Sequence, residues 1–349
     1  MKHFVDQFPD RKININGIDT LYFGGTAYLG LQTYKPFLKI FNGNIKKYGT
    51  NYGASRKSNV QFSIYQKVEN YLAALAGSED CLTVSSGFLA GQFILQQFNT
   101  KEYKIFYAPN THPALQLRLS KTYATFATLN IAIREHLASK TKEKPVVFLD
   151  SIDFSGCNYP DFEGLKALPL SDITLVVDDS HGIGIIGEEG GGIFSLLKPL
   201  SPQELIVCCS LSKAFGVQAG AIFADQERIS RLKEMPLFGG ASPATPANVA
   251  TLYDAQKLYK ERREQLQEHI TYFSSNLHCA LTISKMPNHP AFSFGNEALV
   301  QYLEKEHIVV TNFNYPNKDS AVMSRIVLSA YHKKKDLKKL LQLLNNFSN

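Results

Sequence analysis

Lys213 follows an apolar run in the stretch CCSLSKAFGVQAGAIF. A lysine in such a place can form a Schiff base with a carbonyl when burial or nearby positive charge lowers its pKa. Asp178 ends an earlier apolar run, LVVDDSHGIGIIGEEGGG, and His181 follows three residues later. Each residue also has a plain structural reading: a loop lysine, a helix N-cap in DDSHG, a hydrogen-bonded turn histidine. Asp178, Asp179 and His181 together resemble a metal-donor cluster. No HExxH or second cluster accompanies them, so no metal is expected.

Taken as a pair, Lys213 and Asp178 suit pyridoxal phosphate. That cofactor needs a lysine at its aldehyde carbon and a carboxylate that keeps its pyridine nitrogen protonated. Two residues leaving one sheet edge can meet the two ends of one ring. A tight turn would bring His181 near the ring hydroxyl. An anion site is found in VSSGFLAGQ, where Ser86 precedes Gly87 at a helix start. Amide N–H groups there and the positive helix end attract phosphate. His112, in APNTHPAL, is a further strand-end residue that can stack on a flat ring.

The elements that must position these residues alternate in type. DCLTVSS, KIFYAP, YATFATLN, PVVFLDS, ITLVVDD, ELIVCCS and AGAIFAD read as seven short strands. GFLAGQFILQQF and HPALQLRLS read as helical segments among them. Runs apolar on both faces with helices between indicate a mostly parallel, doubly covered sheet, whose chemistry sits at the C-terminal strand ends. NINGIDTLYFGG reads as a hairpin with an Asn-Gly turn. IYQKVENYLAALAG reads as an amphipathic helix stopped by Gly77. A long helix is expected over roughly 247–269, followed by alternating strands and helices. The division expected is an N-terminal arm (1–40), a large α/β cofactor domain (41–245), and a linking helix with a small α+β domain (246–349).

The 349 residues, 44% hydrophobic, suffice for a large core. No apolar stretch is long enough to span a bilayer, and no secretion signal opens the chain. Five cysteines (Cys81, Cys157, Cys208, Cys209, Cys279) lack metal-site spacing and suit a reduced, cytoplasmic protein. The net charge of +6 comes from lysine clusters on polar faces, without any nucleic-acid module.

Together these motifs resemble the α-oxoamine synthases, pyridoxal-phosphate enzymes of fold type I. AYLGL, the glycine-rich loop, SSGFLAGQ, VVDDSHGIGIIGEEGGG, SLSKAFG and RIVLSAYH match in the same order over about residues 20–345. The resemblance implies that Lys213 holds the cofactor, Asp178 faces the pyridine nitrogen, His181 approaches the ring oxygen and His112 stacks on the ring. It places Ser86, Gly87, Phe88 and Ser210 on the phosphate side. It makes Arg325 the arginine that binds the amino-acid carboxylate, a fit that suits a planar guanidinium. Thr26, Tyr28 and Ser155 fall at substrate-contacting positions. Three departures stand out. Thr26 replaces the usual Asn, Tyr65 replaces a His, and DSIDFSGCNYPD keeps Asp150 and Ser155 but little else of the acyl-transfer segment.

The resemblance further implies a homodimer with shared active sites, in which residues 242–245 reach the partner's cofactor. The activity it implies is condensation of an amino acid with an acyl-CoA thioester, or the reverse cleavage. An aminotransferase or amino-acid lyase on the same fold is the alternative. A non-catalytic binding protein is a third.

Overall fold

The computed structural model describes residues 2–117, 120, 122–154, 158–278, 281–315 and 318–347. Strands buried on both faces need apolar side chains at every position, and TLVVD and GAIFA are buried throughout. In chain order the described strands are β1 (Lys12–Ile15), β2 (Ile18–Phe23), β3 (Asp80–Val84), β4 (Tyr103–Tyr107), β5 (Lys144–Asp150), β6 (Thr174–Asp178), β7 (Glu204–Ser210), β8 (Gly220–Ala224), β9 (Ile283–Lys285), β10 (Ala291–Phe294), β11 (Ile308–Asn314) and β12 (Val322–Val327). They form two six-stranded sheets. The chain divides into two compact units: residues 39–153 with 157–256, and residues 1–38 with 154–156 and 257–349.

The sheet of the larger unit runs β3-β8-β7-β6-β5-β4. β4, β5, β6 and β7 are parallel, and β8 is antiparallel to both of its neighbours. Their register aligns Asp150 with Asp178, and Asp178 with Cys208. The C-terminal ends of β5, β6 and β7 therefore lie side by side, and Lys213 follows Ser210, the last residue of β7. The helix Gly87–Phe98 covers one face, burying Phe93, Ile94 and Phe98 among Phe148, Val176, Ile206 and Ile222.

Behind β3, the helix Ile64–Ala76 ends at Gly77, whose left-handed φ of 79° closes the last turn. This helix carries a buried ion pair. Arg56 bonds both carboxylate oxygens of Glu69 at 3.0 Å and stacks on the Tyr65 ring at 4.0 Å. Thr83 donates its amide and its hydroxyl to the same carboxylate. Tyr65, at the position where a histidine was expected, donates its hydroxyl to the Ala244 carbonyl at 2.6 Å.

Four expectations change. The sheet has six described strands rather than seven. YATFATLN alternates like a strand, yet Thr125 caps the Thr128 amide, and Thr128 returns a bond to the Thr125 amide. That reciprocal capping starts the helix Phe126–Ala138 in mid-segment. Of HPALQLRLS only Pro113–Leu115 forms a turn of 3-10 helix, and part of the segment lies outside the described residues. The expected long helix is two, Pro246–Asp254 and Gln256–Asn276, interrupted at Ala255.

The smaller unit has a sheet ordered β1-β2-β11-β12-β10-β9, with β2 and β11 parallel. Asn16 and Gly17 both take positive φ, 52° and 85°, which makes the β1–β2 connection the tight hairpin expected of Asn-Gly. The helix Lys334–Asn346 buries Leu337, Leu340, Leu341 and Leu344. His332 stacks on Phe23 at 4.1 Å. Its Nδ1 accepts the Ser329 amide, and its Nε2 lies 2.9 Å from the Tyr22 carbonyl. Burial drops its pKa to about 4.

Candidate active site

The site of the larger unit is built at the strand ends. Lys213 Nζ lies 2.9 Å from His181 Nε2. Asp178 is 8% exposed, and its Oδ1 accepts the Ser180 amide at 2.8 Å. That bond helps orient the carboxylate at the end of β6. The Ser180 hydroxyl in turn accepts the Ser210 amide at 2.8 Å, tying the turn after β6 to the end of β7. This tie positions the lysine-bearing turn relative to Asp178, and sequence reasoning gave Ser180 no part.

Two glycines after His181, Gly182 and Gly192, have a physical cause in Asp179. Its Oδ1 accepts the Ser151 hydroxyl at 2.6 Å and its Oδ2 the Ile193 amide at 3.0 Å. The turn wraps so closely that a Cβ on Gly182 or Gly192 would lie 2.1 Å from a carboxylate oxygen. Asp179 is thus the anchor that closes the loop presenting His181. Burial pushes its carboxyl up to about 7, against the pull of those two hydrogen bonds.

His112 stands at the end of β4's connection. Its amide donates to Asp150 Oδ1 at 3.0 Å, and its Nδ1 accepts the Ala114 amide at 3.1 Å. In the neutral ring Nδ1 as acceptor places the proton on Nε2. Burial lowers the His112 pKa, the Asp178 charge opposes that, and Lys213 adds to it. Asp150 is held well above the usual carboxylate range by burial and by its neighbour Asp178. In the sequence Asp150 appears only as a remnant of the acyl-transfer segment; the register that sets it beside Asp178 is visible only in the fold.

The turn expected on the phosphate side is equally tight. Ser86 Oγ accepts the Leu89 amide at 3.1 Å as N-cap of the helix Gly87–Phe98. First-turn amides lie outside the helical ladder, so Gly87 and Phe88 present theirs at the helix end; the Phe88 ring is 59% exposed. A Cβ on Gly87 would lie 2.5 Å from Ser210 Cβ, and one on Gly220 would lie 2.2 Å from the Ser86 carbonyl. Ser210 Oγ is 2.7 Å from Ser212 Oγ. Two hydroxyls and a helix end therefore converge where only glycine fits. The chemistry of this donor set, with a carboxylate and a lysine on the same sheet edge, is compatible with a flat ring bearing an anionic tail.

The smaller unit holds the remaining predicted residues. Arg325 lies in β12, between Ser293 of β10 and Thr311 of β11. Its guanidinium sits 3.5 Å from the Phe154 ring centroid. Tyr28 is buried and raises the Arg325 pKa, yet burial dominates and brings it down to about 10. Thr26 is exposed and accepts the Tyr28 amide at its carbonyl. Ser155 lies outside the described residues, as do Cys157 and Cys279. Phe154 and His289 were not singled out in the sequence; each packs through contacts between segments remote along the chain.

The fold is that of the pyridoxal-phosphate-dependent transferases of fold type I. A serine palmitoyltransferase of Sphingomonas wittichii superposes with a TM-score of 0.82 at 16% identity, covering 98% of this chain and 90% of that one. An 8-amino-7-oxononanoate synthase of Francisella tularensis gives 0.68 at 19% identity, covering 93% and 97%. Residues 24–344 match the aminotransferase class I and II family, and the chain belongs to that family. Among curated proteins, an 8-amino-7-oxononanoate synthase of Petrotoga mobilis is 27% identical over 345 residues, 93% of this chain and 87% of that protein. One of Thermosipho melanesiensis is 28% identical over 342 residues, with the same coverage.

Proposed function

We propose that this chain is a pyridoxal-phosphate-dependent acyltransferase that joins an amino acid to an acyl-CoA thioester, or runs the reverse cleavage. The observation that carries the reading is the contact of Lys213 with His181 at the sheet edge where Asp178 presents its carboxylate. Curated relatives named 8-amino-7-oxononanoate synthase support the acyl-transfer assignment. The cofactor stabilises negative charge on the amino acid's α-carbon when bound.

The chain's residues divide the remaining work. Lys213 would hold the cofactor at its aldehyde carbon and would serve as the base for the α-proton. His181, in contact with Lys213, helps set its protonation. Asp178 retains a proton on the pyridine nitrogen. His112 is kept neutral by burial and offers a flat face. Ser86, Ser210 and the amides of Gly87 and Phe88 hold the phosphate, and Arg325 takes the substrate carboxylate. Thr26, Tyr28 and Ser155 are assigned to the substrate side. A homodimer in the cytoplasm suits the family resemblance and the buried free thiols Cys81, Cys208 and Cys209.

The test is a panel of amino acids and acyl-CoAs read by mass spectrometry. Release of CoA with a condensed product, only when both are present, is the expected result. Conversion of an added keto acid to its amino acid without any thioester would instead mark an aminotransferase.

A further inference from the structure

The helix Lys334–Asn346 commits its apolar side to the smaller unit's own core, through Leu337, Leu340, Leu341 and Leu344. Its other side is exposed and carries Lys334, Lys335, Lys338 and Lys339. That spacing puts all four lysines on one arc of an α-helix. No acid interrupts the arc. Asp336, the helix's one carboxylate, is buried and takes two bonds from Arg11, at 2.6 and 2.7 Å. The N-terminal arm runs beside this face. His3 lies 3.4 Å from the Glu304 carboxylate, in the helix Glu297–Lys305. Lys339 donates to the Glu306 carbonyl at 2.7 Å, two residues further on. Phe4 follows His3 and so stands at the helix end that Lys339 touches. It is 92% exposed, and Phe8 is exposed as well. Asp6 and Glu306 are exposed here too, but the lysines outnumber them.

We propose that this face is a docking surface for an anionic phospholipid bilayer, with the lysines at the headgroups and the Phe4 ring entering the layer beneath them. The contact is peripheral, because the leucines of the helix are already used in the core. It uses none of the residues assigned to the reaction and goes beyond that assignment. Two features favour a bilayer over an acidic protein. The exposed arc holds lysine and no arginine. Protein interfaces are enriched in arginine, whose rigid fork suits built contacts, and depleted in lysine, a flexible point charge. The exposed ring sits on a terminal arm rather than on the rim of a pocket. Hydrocarbon under mobile headgroups takes such a ring without a matching shape. A cluster of four lysines on an amphipathic helix is the pattern anionic lipid attracts, at about fivefold in binding per lysine near the surface.

The test floats the purified full chain, incubated with pyridoxal phosphate, with vesicles of phosphatidylcholine alone or mixed with phosphatidylglycerol. Wild type floats with the mixed vesicles only, and added salt releases it. A variant carrying Lys334→Gln, Lys335→Gln, Lys338→Gln and Lys339→Gln binds the mixed vesicles about 10²- to 10³-fold more weakly, the product of four such factors. Phe4→Ser weakens binding about tenfold, as one ring is withdrawn from hydrocarbon. Melting temperature, read in parallel, shows that both variants fold. Polyglutamate is the probe for an acidic protein. A wild type that stays with the neutral fraction, or flotation that persists in the four-lysine variant, would overturn the proposal. Polyglutamate binding as tight as vesicle binding, with Phe4→Ser unchanged in both, would also overturn it and mark a protein-docking face instead.

Discussion

Lys213 Nζ and His181 Nε2 are 2.9 Å apart, joining the turn after β7 to the turn after β6. The contact couples the charge of the lysine to the imidazole. Replacing His181 with Asn removes the ring nitrogen at that distance. A lost hydrogen bond to a charged group is worth about 1.5–3 kcal/mol, or roughly ten- to hundredfold in rate. Turnover should fall by that order while the protein still retains cofactor. The pH at which the visible band changes should move as well. A variant with wild-type turnover and an unmoved pH midpoint would remove His181 from the site.

Gly87→Ala tests the phosphate cradle. The added Cβ meets Ser210 backbone and Cβ atoms at 2.5–2.8 Å, and no flexible tip is available to yield. Overpacking of this kind costs about 1–3 kcal/mol. The melting temperature should drop, and the stabilisation gained on adding pyridoxal phosphate should shrink, because the helix end shifts away from Ser210. Thermal denaturation with and without cofactor measures both.

Glu69→Ala probes the buried pair that sits behind β3. The change leaves Arg56 buried among Tyr65, Phe238 and Thr83 without its counter-charge. Breaking a buried pair from one side costs about 3–5 kcal/mol. A large loss in urea midpoint is expected. The stabilities of Glu69→Ala and of a double variant that also carries Arg56→Met should then differ little, or favour the double variant.

His332 gives the smaller unit a pH dependence. Its folded pKa of about 4 lies below the unfolded value of 6.5, so the native state binds fewer protons in that window. Stability from this group is complete above about 6.5 and is lost as pH falls toward about 4. The full shift corresponds to about 3 kcal/mol. Asp179, raised to about 7, acts in the opposite sense, losing stability as pH rises toward that value. Comparing wild type with His332→Gln cancels the Asp179 contribution. The unfolding free energy at pH 7.5 minus that at pH 5 should be lower in the variant than in wild type by about 2 kcal/mol, the His332 contribution over that window.

Much of the site was legible because it lies where apolar runs stop. β6 is buried throughout and β7 from Ile206 to Cys209, so Asp178 and the turn after Ser210 stand out as polar endings. The glycine run was visible but not its cause. Only the folded turn shows that Gly182 and Gly192 make room for the Asp179 carboxylate. The settings of Asp150 and Phe154 were hidden for another reason. Asp150 acquires its partner through strand register, and Phe154 meets Arg325 across a long stretch of chain. The misread strand YATFATLN shows a local rule prevailing: a Thr-x-x-Thr cap outweighed an alternating pattern.

The most direct measurement is the visible absorption spectrum of the purified protein after incubation with pyridoxal phosphate and gel filtration. Wild type should emerge yellow, with a band that persists through the column and is discharged by borohydride onto Lys213, as peptide mass spectrometry would locate it. Lys213→Ala should fold and lack that band. A colourless wild type, or a band retained in Lys213→Ala, would contradict the account.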